Sequence, residues 1–531
     1  MRNRPLTSGN ALPSELKQRH GQEFYPPGDK CRQAVSPSSK PVQLCGGAGQ
    51  LRPHSTAGMS PASIMSWLGA SLFALAFLAT DVNIAQRRLF WYDEIGTLDL
   101  IKLPDVKELW QAQNALRGDS APTLYLLLVR LVYAATGHAE VSVRLISAVA
   151  MMVTLLVVFD CARRLTDGPH GLIAMFSLAS SFFTYYGYEG RPYALATLFM
   201  ALALWLWIHT KQEGKGTALA FGAAIFAAVS MHFNSILIMV PFGFWEVYRW
   251  RPGRKPSAKF LAGVIGLATA IGLAAPQVRI MYSVGRLPAS SWSAPSFAAL
   301  VRVLSHMFPP GLFVLAVFVM LRCLMPSLAK PMADSEKLCW LFLLIPAAGF
   351  VLAEAVTNSF YSRYLIATMP GVVVGFGCLA ARHLTRPAST VLLLLLSGIA
   401  VGRQFRDARG AEAIEPQSAA DQQLHTRQAL AVEDILMKDG RTTVLTEHTV
   451  VRALRYYSKH PELYVSYGPN DAAYFCLYLG EACWGLDKVK AHAGELASIY
   501  PSDTFLSAML HSGYQARVKM TNPMVVYFSL R

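Results

Sequence analysis

The sequence predicts an all-α polytopic membrane protein of about eleven transmembrane helices, ending in a small α/β domain. Three observations carry that expectation. Of 531 residues, 53% are hydrophobic and only 15% charged, too few to coat a soluble protein of this size. Runs of about 18–20 apolar residues, enough to cross a hydrocarbon core roughly 30 Å thick, recur between residues 62 and 402. After residue 402 the pattern changes to short β-rich runs alternating with helical ones.

Residues 1–58 are basic, rich in Pro, Gly and Ser, and lack apolar periodicity, so this segment is expected to be disordered. The apolar run that follows starts too late and is too long for a cleaved signal peptide, and Met59 is a second candidate start. The first span is expected at 62–80. Others follow at 141–160, 170–187, 192–209, 217–232, 235–249, 259–276, 308–323, 338–356, 365–381 and 388–402.

One apolar stretch, 121–135, is left over. Counting it as a span puts Arg163-Arg164 and 249–255 on opposite sides from other basic loops. Leaving it out places Arg163-Arg164, 211–215, 249–255, 322–330 and 382–386 on the side of the basic N-terminus, as the positive-inside rule requires. Arg130 within the stretch and Pro122 near its start agree, so 121–135 is expected to lie in the outer interface. The organisation is then a transmembrane domain over 59–402, with a large first outer loop at 81–140 carrying interfacial helices. An extracytoplasmic α/β domain follows over 403–531, with strands at 444–446, 464–467, 516–519 and 525–530 and helices at 449–458 and 488–499. The protein is placed in the cell's inner (plasma) membrane as a multi-pass protein.

The net charge of +15 fits cytoplasmic basic loops, and no nucleic-acid partner is expected. The eight cysteines show no metal-ligand spacing. Cys161, Cys323, Cys339 and Cys378 sit in or beside apolar runs, where cysteine behaves as a small hydrophobe. Cys476 and Cys483 share the polar tail and are either a disulfide or two thiols. No cofactor and no metal site is indicated.

This topology gathers polar residues at one face. Asp93 and Glu94 follow Phe90-Trp91-Tyr92 in the first outer loop, and a carboxylate pair there wants water, a cation or a proton to move. Glu189-Gly190-Arg191-Pro192-Tyr193, His232, the loop 277–306 and Phe360-Tyr361-Ser362-Arg363-Tyr364 lie at other outer span ends, with Arg144 just inside a further one. One shared aqueous cavity is expected, with Asp93 as catalytic carboxylate and Glu189, Tyr193, His232, Tyr361 and Tyr364 as substrate contacts. Three outer-face arginines, Arg144, Arg191 and Arg363, run against the positive-inside bias and need an anionic partner. That partner is a lipid phosphate or, as structural ion pairs, the carboxylates Asp93, Glu94 and Glu189.

Trp91-Tyr92-Asp93-Glu94 resembles the acidic first-loop motif of C-type glycosyltransferases that use lipid-phosphate sugars. That family includes protein O-mannosyltransferases and the aminoarabinose transferase of lipid A. The resemblance continues in order through Pro122-Thr123-Leu124-Tyr125-Leu126-Leu127, Val143-Arg144-Leu145, 185–195 and Ser362-Arg363-Tyr364-Leu365 with Pro370, and covers roughly 62–402. It implies that Asp93 is the catalytic base and that Arg144, Arg191 and Arg363 hold the lipid phosphate. Two departures stand out. Ala121-Pro122 replaces a pair of prolines, and Glu189-Gly190-Arg191 replaces Glu-Ala-Arg, from which a more flexible backbone is expected.

The function so implied is a hexosyl or pentosyl transfer from a polyprenyl-phosphate donor to an envelope acceptor: a glycolipid such as lipopolysaccharide, a glycan or a protein. Asp93 takes the acceptor proton, and Glu94 orients it or binds the acceptor. Membrane lipids are further partners. A transporter or flippase for lipid-linked sugars, or an assembly factor, is the alternative. It would need the arginines but not the base.

Overall fold

The computed structural model describes residues 60–114, 121–209, 214–252, 255–285, 294–307, 331–409, 417–446, 448–467, 483–485, 488–489, 492, 496–501, 503–521 and 523–530. The expected disordered segment 1–58 and the expected span 308–323 lie outside them.

Helix α1 (Pro61–Arg87) begins where Ser60 Oγ accepts the Ser63 N–H at 3.3 Å and Pro61 fixes the first turn. Its buried residues, Ser66, Ala70, Ala74, Phe77, Asp81 and Ile84, recur at three- and four-residue steps and form one stripe. Leu68, Leu72 and Leu75 on the other faces are more than half exposed, as hydrocarbon contact requires. The segment after α1 then folds into α2 (Tyr92–Ile101), α3 (Val106–Asn114) and α4 (Thr123–Thr136). Helix α4 is only 14 residues long and stops at Gly137, whose φ of +69° suits glycine. Arg130, awkward inside an apolar run, donates from Nη1 and Nη2 to the carbonyls of Leu103 and Pro104 at 2.6 Å each. It ties α4 to the end of α2.

The membrane part continues with α5 (Ala139–Leu165), α6 (Gly168–Ala179), α7 (Tyr193–His209), α8 (Lys215–Met231), α9 (Met239–Tyr248), α10 (Ala258–Gly285) and α11 (Phe297–Met307). After these come α12 (Asp334–Leu341), α13 (Ile345–Leu352), α14 (Thr368–His383) and α15 (Arg386–Arg409). Among the described residues five helical stretches are long and apolar enough to cross a membrane: Pro61–Arg87, Val141–Leu165, Ala258–Ile280, Asp334–Val356 and Arg386–Arg409. Thr123–Thr136, Tyr193–His209, Lys215–Met231 and Phe233–Tyr248 are shorter apolar helices. The chain is a multi-pass membrane protein. Where α8 meets α10, a Cβ on Gly266 would stand 2.2 Å from the Gly222 carbonyl oxygen, so the absence of side chains lets the two backbones touch.

Several expected spans are broken at one end. The stretch 170–187 is α6 followed by a 3₁₀ segment, Phe182–Gly187. The hydroxyls of Ser180 and Ser181 turn back onto the carbonyls of Ser177 and Leu178 at 3.0 and 2.6 Å, which ends the α-helix there. Similar 3₁₀ turns, Phe233–Ile238 and Ser362–Leu365, precede α9 and α14. All three turns adjoin the residues expected to form the cavity.

Helix α15 runs to Arg409, beyond the expected boundary at 402. The C-terminal part contains α16 (Gln417–Lys438), β1 (Thr443–Thr446), α17 (His448–Tyr457), β2 (Tyr464–Tyr467), β3 (Cys483–Trp484), β4 (Leu496–Ile499), α18 (Asp503–His511), β5 (Tyr514–Thr521) and β6 (Met524–Leu530). The six strands form one sheet in the order β3-β2-β1-β4-β6-β5, parallel from β3 to β4 and antiparallel from β4 to β5. Side-chain alternation divides its core. Val444, Tyr464 and Ala497 pack with Leu436 of α16 and Leu454 of α17, whereas Leu445, Val465 and Leu496 pack with Phe505 and Met509 of α18. The helix expected at 488–499 is therefore corrected at its end: Leu496–Ile499 is a fully buried strand between β1 and β6. Pairing on both sides outweighs its local helical pattern. Cys483 is disulfide-bonded, and Cys476 lies outside the described residues.

Candidate active site

Asp93 is the second residue of α2, and its carboxylate is one quarter exposed. Two arginines face the same oxygen. Arg191 Nη2 stands 3.7 Å and Arg363 Nη1 4.0 Å from Asp93 Oδ2. Both guanidinium groups are largely buried. Arg191 Nη1 also donates to the Asp93 carbonyl at 3.2 Å, and Ser147 Oγ holds the Arg191 carbonyl at 3.1 Å. These ion pairs are long, so a second anion can compete for the arginines.

Glu94 stands in a different environment. It is 1% exposed, and each oxygen accepts two hydrogen bonds. Oε1 receives Arg144 Nε at 2.8 Å and Gly190 N–H at 2.6 Å; Oε2 receives Arg144 Nη2 at 2.7 Å and Trp91 N–H at 3.3 Å. The Trp91 contact closes the start of α2 on its own side chain. Burial pushes the Glu94 carboxyl up, but Arg144, Arg88 and the Gly190 amide outweigh it and hold the group below the ordinary glutamate range.

Arg144, expected to hold a phosphate, has its donors occupied. Beyond Glu94 it donates to the carbonyls of Ala85, Arg88 and Leu89, and its guanidinium lies 4.1 Å from the centre of the Phe90 ring. It joins α1, α2 and α5 rather than opening onto a cavity. Glu189, 3% exposed, is held away from solvent beside Glu94, and burial followed by that charge pushes its carboxyl up to about 8. Gly190 is demanded by packing, which replaces the expectation of a flexible loop. A Cβ there would lie 2.2 Å from Val143 Cγ1 and 3.0 Å from Glu94 Oε1.

Aromatic rings surround the arginine pair. Arg363 lies 4.9 Å from the Tyr361 ring centre and 5.5 Å from that of Tyr364, and Arg191 is 6.0 Å from that of Tyr193. His232 stacks on Tyr364 at 5.9 Å and meets Tyr193 edge-on at 5.1 Å. The sequence-predicted residues thus separate into a group around the partly exposed Asp93 carboxylate, made of Arg191, Arg363, Tyr193, His232, Tyr361 and Tyr364, and a buried brace of Glu94 and Arg144 with Glu189 beside it. Sequence reasoning missed Arg88, whose guanidinium sits over the rings of Tyr185 and Tyr188 at 5.1 and 5.2 Å. An Arg87-Arg88 pair at the end of the first apolar span was the available signal. Among the described residues no group of three or more His, Cys, Asp or Glu is placed to hold a metal ion.

Residues 120–278 match the family model described as dolichyl-phosphate-mannose-protein mannosyltransferase. No curated protein sequence matches the chain. Among solved structures, ArnT from Cupriavidus metallidurans bound to undecaprenyl phosphate is similar, with a TM-score of 0.52 at 13% identity, covering 87% of this chain and 97% of that one. The same protein in the apo state gives a TM-score of 0.52 at 13% identity, covering 87% of this chain and 98% of that one. The Archaeoglobus fulgidus oligosaccharyltransferase in the apo form gives 0.41 at 12% identity, covering 74% of this chain and 64% of that one. With the family match across α4 to α10 and ArnT aligned over nearly its whole length, the chain has the fold of the C-type membrane glycosyltransferases.

Proposed function

We propose that this protein is an integral-membrane glycosyltransferase that moves a monosaccharide from a polyprenyl-phosphate donor to an envelope acceptor on the outer face of the inner membrane. The observation that carries the reading is the sharing of one partly exposed Asp93 oxygen by two buried arginines, at 3.7 and 4.0 Å. A carboxylate able to accept a proton and two guanidinium forks able to bind a phosphate would then act side by side.

In the reaction, the acceptor hydroxyl gives its proton to Asp93 as its oxygen attacks the anomeric carbon. The bond from that carbon to the phosphate oxygen breaks, and the phosphate leaves with the electron pair. Arg191 and Arg363 take up the charge that develops on it, and general-base help supplies roughly 10²–10⁴ in rate. A single displacement inverts the anomeric centre. Glu189 is 3% exposed beside Glu94 and burial pushes its carboxyl up, which argues against its serving as the nucleophile of a retaining route. Tyr193, His232, Tyr361 and Tyr364 form the aromatic wall for the sugar or for the phosphate-proximal part of the lipid. Glu94 and Arg144 act as a brace: Arg144 places Glu94, and Glu94 places the first turn of α2. The sheet and its helices then belong to the extracytoplasmic side, with α2.

Single-turnover transfer by purified protein from a polyprenyl-phosphate sugar tests this. The donor sugar and acceptor come from comparing envelope glycolipids and glycoproteins of wild-type and deletion strains by mass spectrometry. Donor binding without any transferred product would instead support a transporter or assembly factor.

A further inference from the structure

Both ends of the helix that carries Asp93 are held by the C-terminal helices. At its start, Tyr457 Oη of α17 accepts the Phe90 N–H at 2.7 Å, and the buried Gln423 Nε2 of α16 donates to the Leu89 carbonyl at 3.0 Å. At its far end, Arg452 Nε of α17 lies 3.6 Å from Asp99 Oδ2, while the same guanidinium covers the Tyr92 ring at 4.6 Å. Lys102, just past α2, stands 5.1 Å from the Tyr456 ring centre. The Leu89 carbonyl that Gln423 binds is also bound by Arg144 Nη2 at 3.1 Å. The Leu89–Phe90 backbone is therefore fixed between the brace below and α16 and α17 above.

We propose that Tyr457, Gln423 and Arg452 are positioning residues for the transfer step. They set the pitch of α2 and so the aim of the Asp93 carboxylate; this rests on Asp93 being the base. The physical need is specific. A ten-residue helix is marginal by itself, and two guanidinium groups pull its second residue toward the phosphate site. Without restraint from the other side, α2 yields to that pull and Asp93 turns from the acceptor hydroxyl toward the arginines. A misplacement on the order of 1 Å costs about a hundredfold in rate, so small contacts on α2 have leverage.

The test uses the full-length protein reconstituted in nanodiscs, with Tyr457→Phe and Arg452→Met. Each variant is expected to lose about 3- to 30-fold in kcat, with the KM for the polyprenyl-phosphate sugar changed by less than about twofold. In an Asp93→Asn background the same substitutions should change the residual rate by less than about twofold, since no base is left to aim. Hydrogen–deuterium exchange of the α2 amides should speed up in both variants without turnover. An equal loss of kcat in both backgrounds overturns the proposal, because a general structural defect is indifferent to Asp93. Unchanged kcat overturns it as well. If the wild-type protein transfers no sugar, the proposed activity falls and exchange alone decides the clamp: faster α2 exchange upholds it and unchanged exchange removes it.

Discussion

Arg144 and Glu94 meet in a two-point pair, Nε to Oε1 at 2.8 Å and Nη2 to Oε2 at 2.7 Å, with both side chains at or below 5% exposure. Such a pair tolerates the loss of neither partner, since the survivor is left as a buried charge. Arg144→Leu is expected to destabilise the protein by about 3–5 kcal/mol, and Arg144→Leu with Glu94→Leu by less than the single change. Thermal unfolding in detergent checks this. A stable Arg144→Leu protein with weakened donor binding would return Arg144 to the phosphate site.

Arg191 and Arg363 stand 3.7 and 4.0 Å from the Asp93 carboxylate, so the loss of either charge should be felt mainly by the ligand. Arg191→Ala and Arg363→Ala are each expected to weaken polyprenyl-phosphate binding by about 1.5–3 kcal/mol, or roughly 10- to 150-fold. Titration of undecaprenyl phosphate followed by intrinsic fluorescence measures it. Unchanged affinity with a collapsed melting temperature would make both arginines structural partners of α2.

Gly190→Ala would force a methyl group against Val143 Cγ1 at 2.2 Å and press on Glu94 Oε1 at 3.0 Å. The expected destabilisation is about 1–3 kcal/mol. Adding Val143→Ala should recover part of it by opening the space. Rescue by Val143→Ala, read as melting temperature, separates packing from a need for backbone freedom.

How much of this was legible beforehand depends on the kind of force involved. The polytopic class followed from hydrocarbon-length apolar runs, and the convergence of Asp93, Arg191 and Arg363 followed from topology. The pairing of Arg144 with Glu94 did not, because a sequence shows that an outer arginine needs an anion without showing which one. The 3₁₀ turns at Phe182–Gly187 and Phe233–Ile238 were hidden within or at the edge of apolar runs, and that at Ser362–Leu365 lay at a span entrance, and hydropathy is blind to such backbone geometry. The strand at Leu496–Ile499 was misread for a related reason: its neighbours in the sheet are distant in sequence.

Glu189 links the site to pH. Its folded pKa of about 8 lies above the ordinary glutamate value, so the native state holds a proton that the unfolded chain releases between about pH 4 and 8. The stability this contributes is complete below the unfolded pKa and is lost as pH rises through about 8. Glu189→Gln keeps the neutral shape and should flatten the decline. Melting curves of both proteins between pH 5 and about 9 check it. Parallel pH profiles would show that Glu189 does not carry the proton.

Asp93→Asn is the decisive substitution. It keeps the size of the side chain and removes the charge proposed to accept the acceptor's proton. Transfer in a single turnover should slow by at least about a hundredfold. Donor binding should be unchanged or tighter, because Arg191 and Arg363 lose the carboxylate that competes with the phosphate for them. This pairing of opposite effects is specific to a base that shares its arginines with the leaving group. Glu94→Gln should behave differently: it weakens the pair with Arg144 and lowers stability along with rate. If Asp93→Asn transfers sugar at near the wild-type rate, Asp93 is not the base, and the partly exposed carboxylate serves only to hold the two arginines in place.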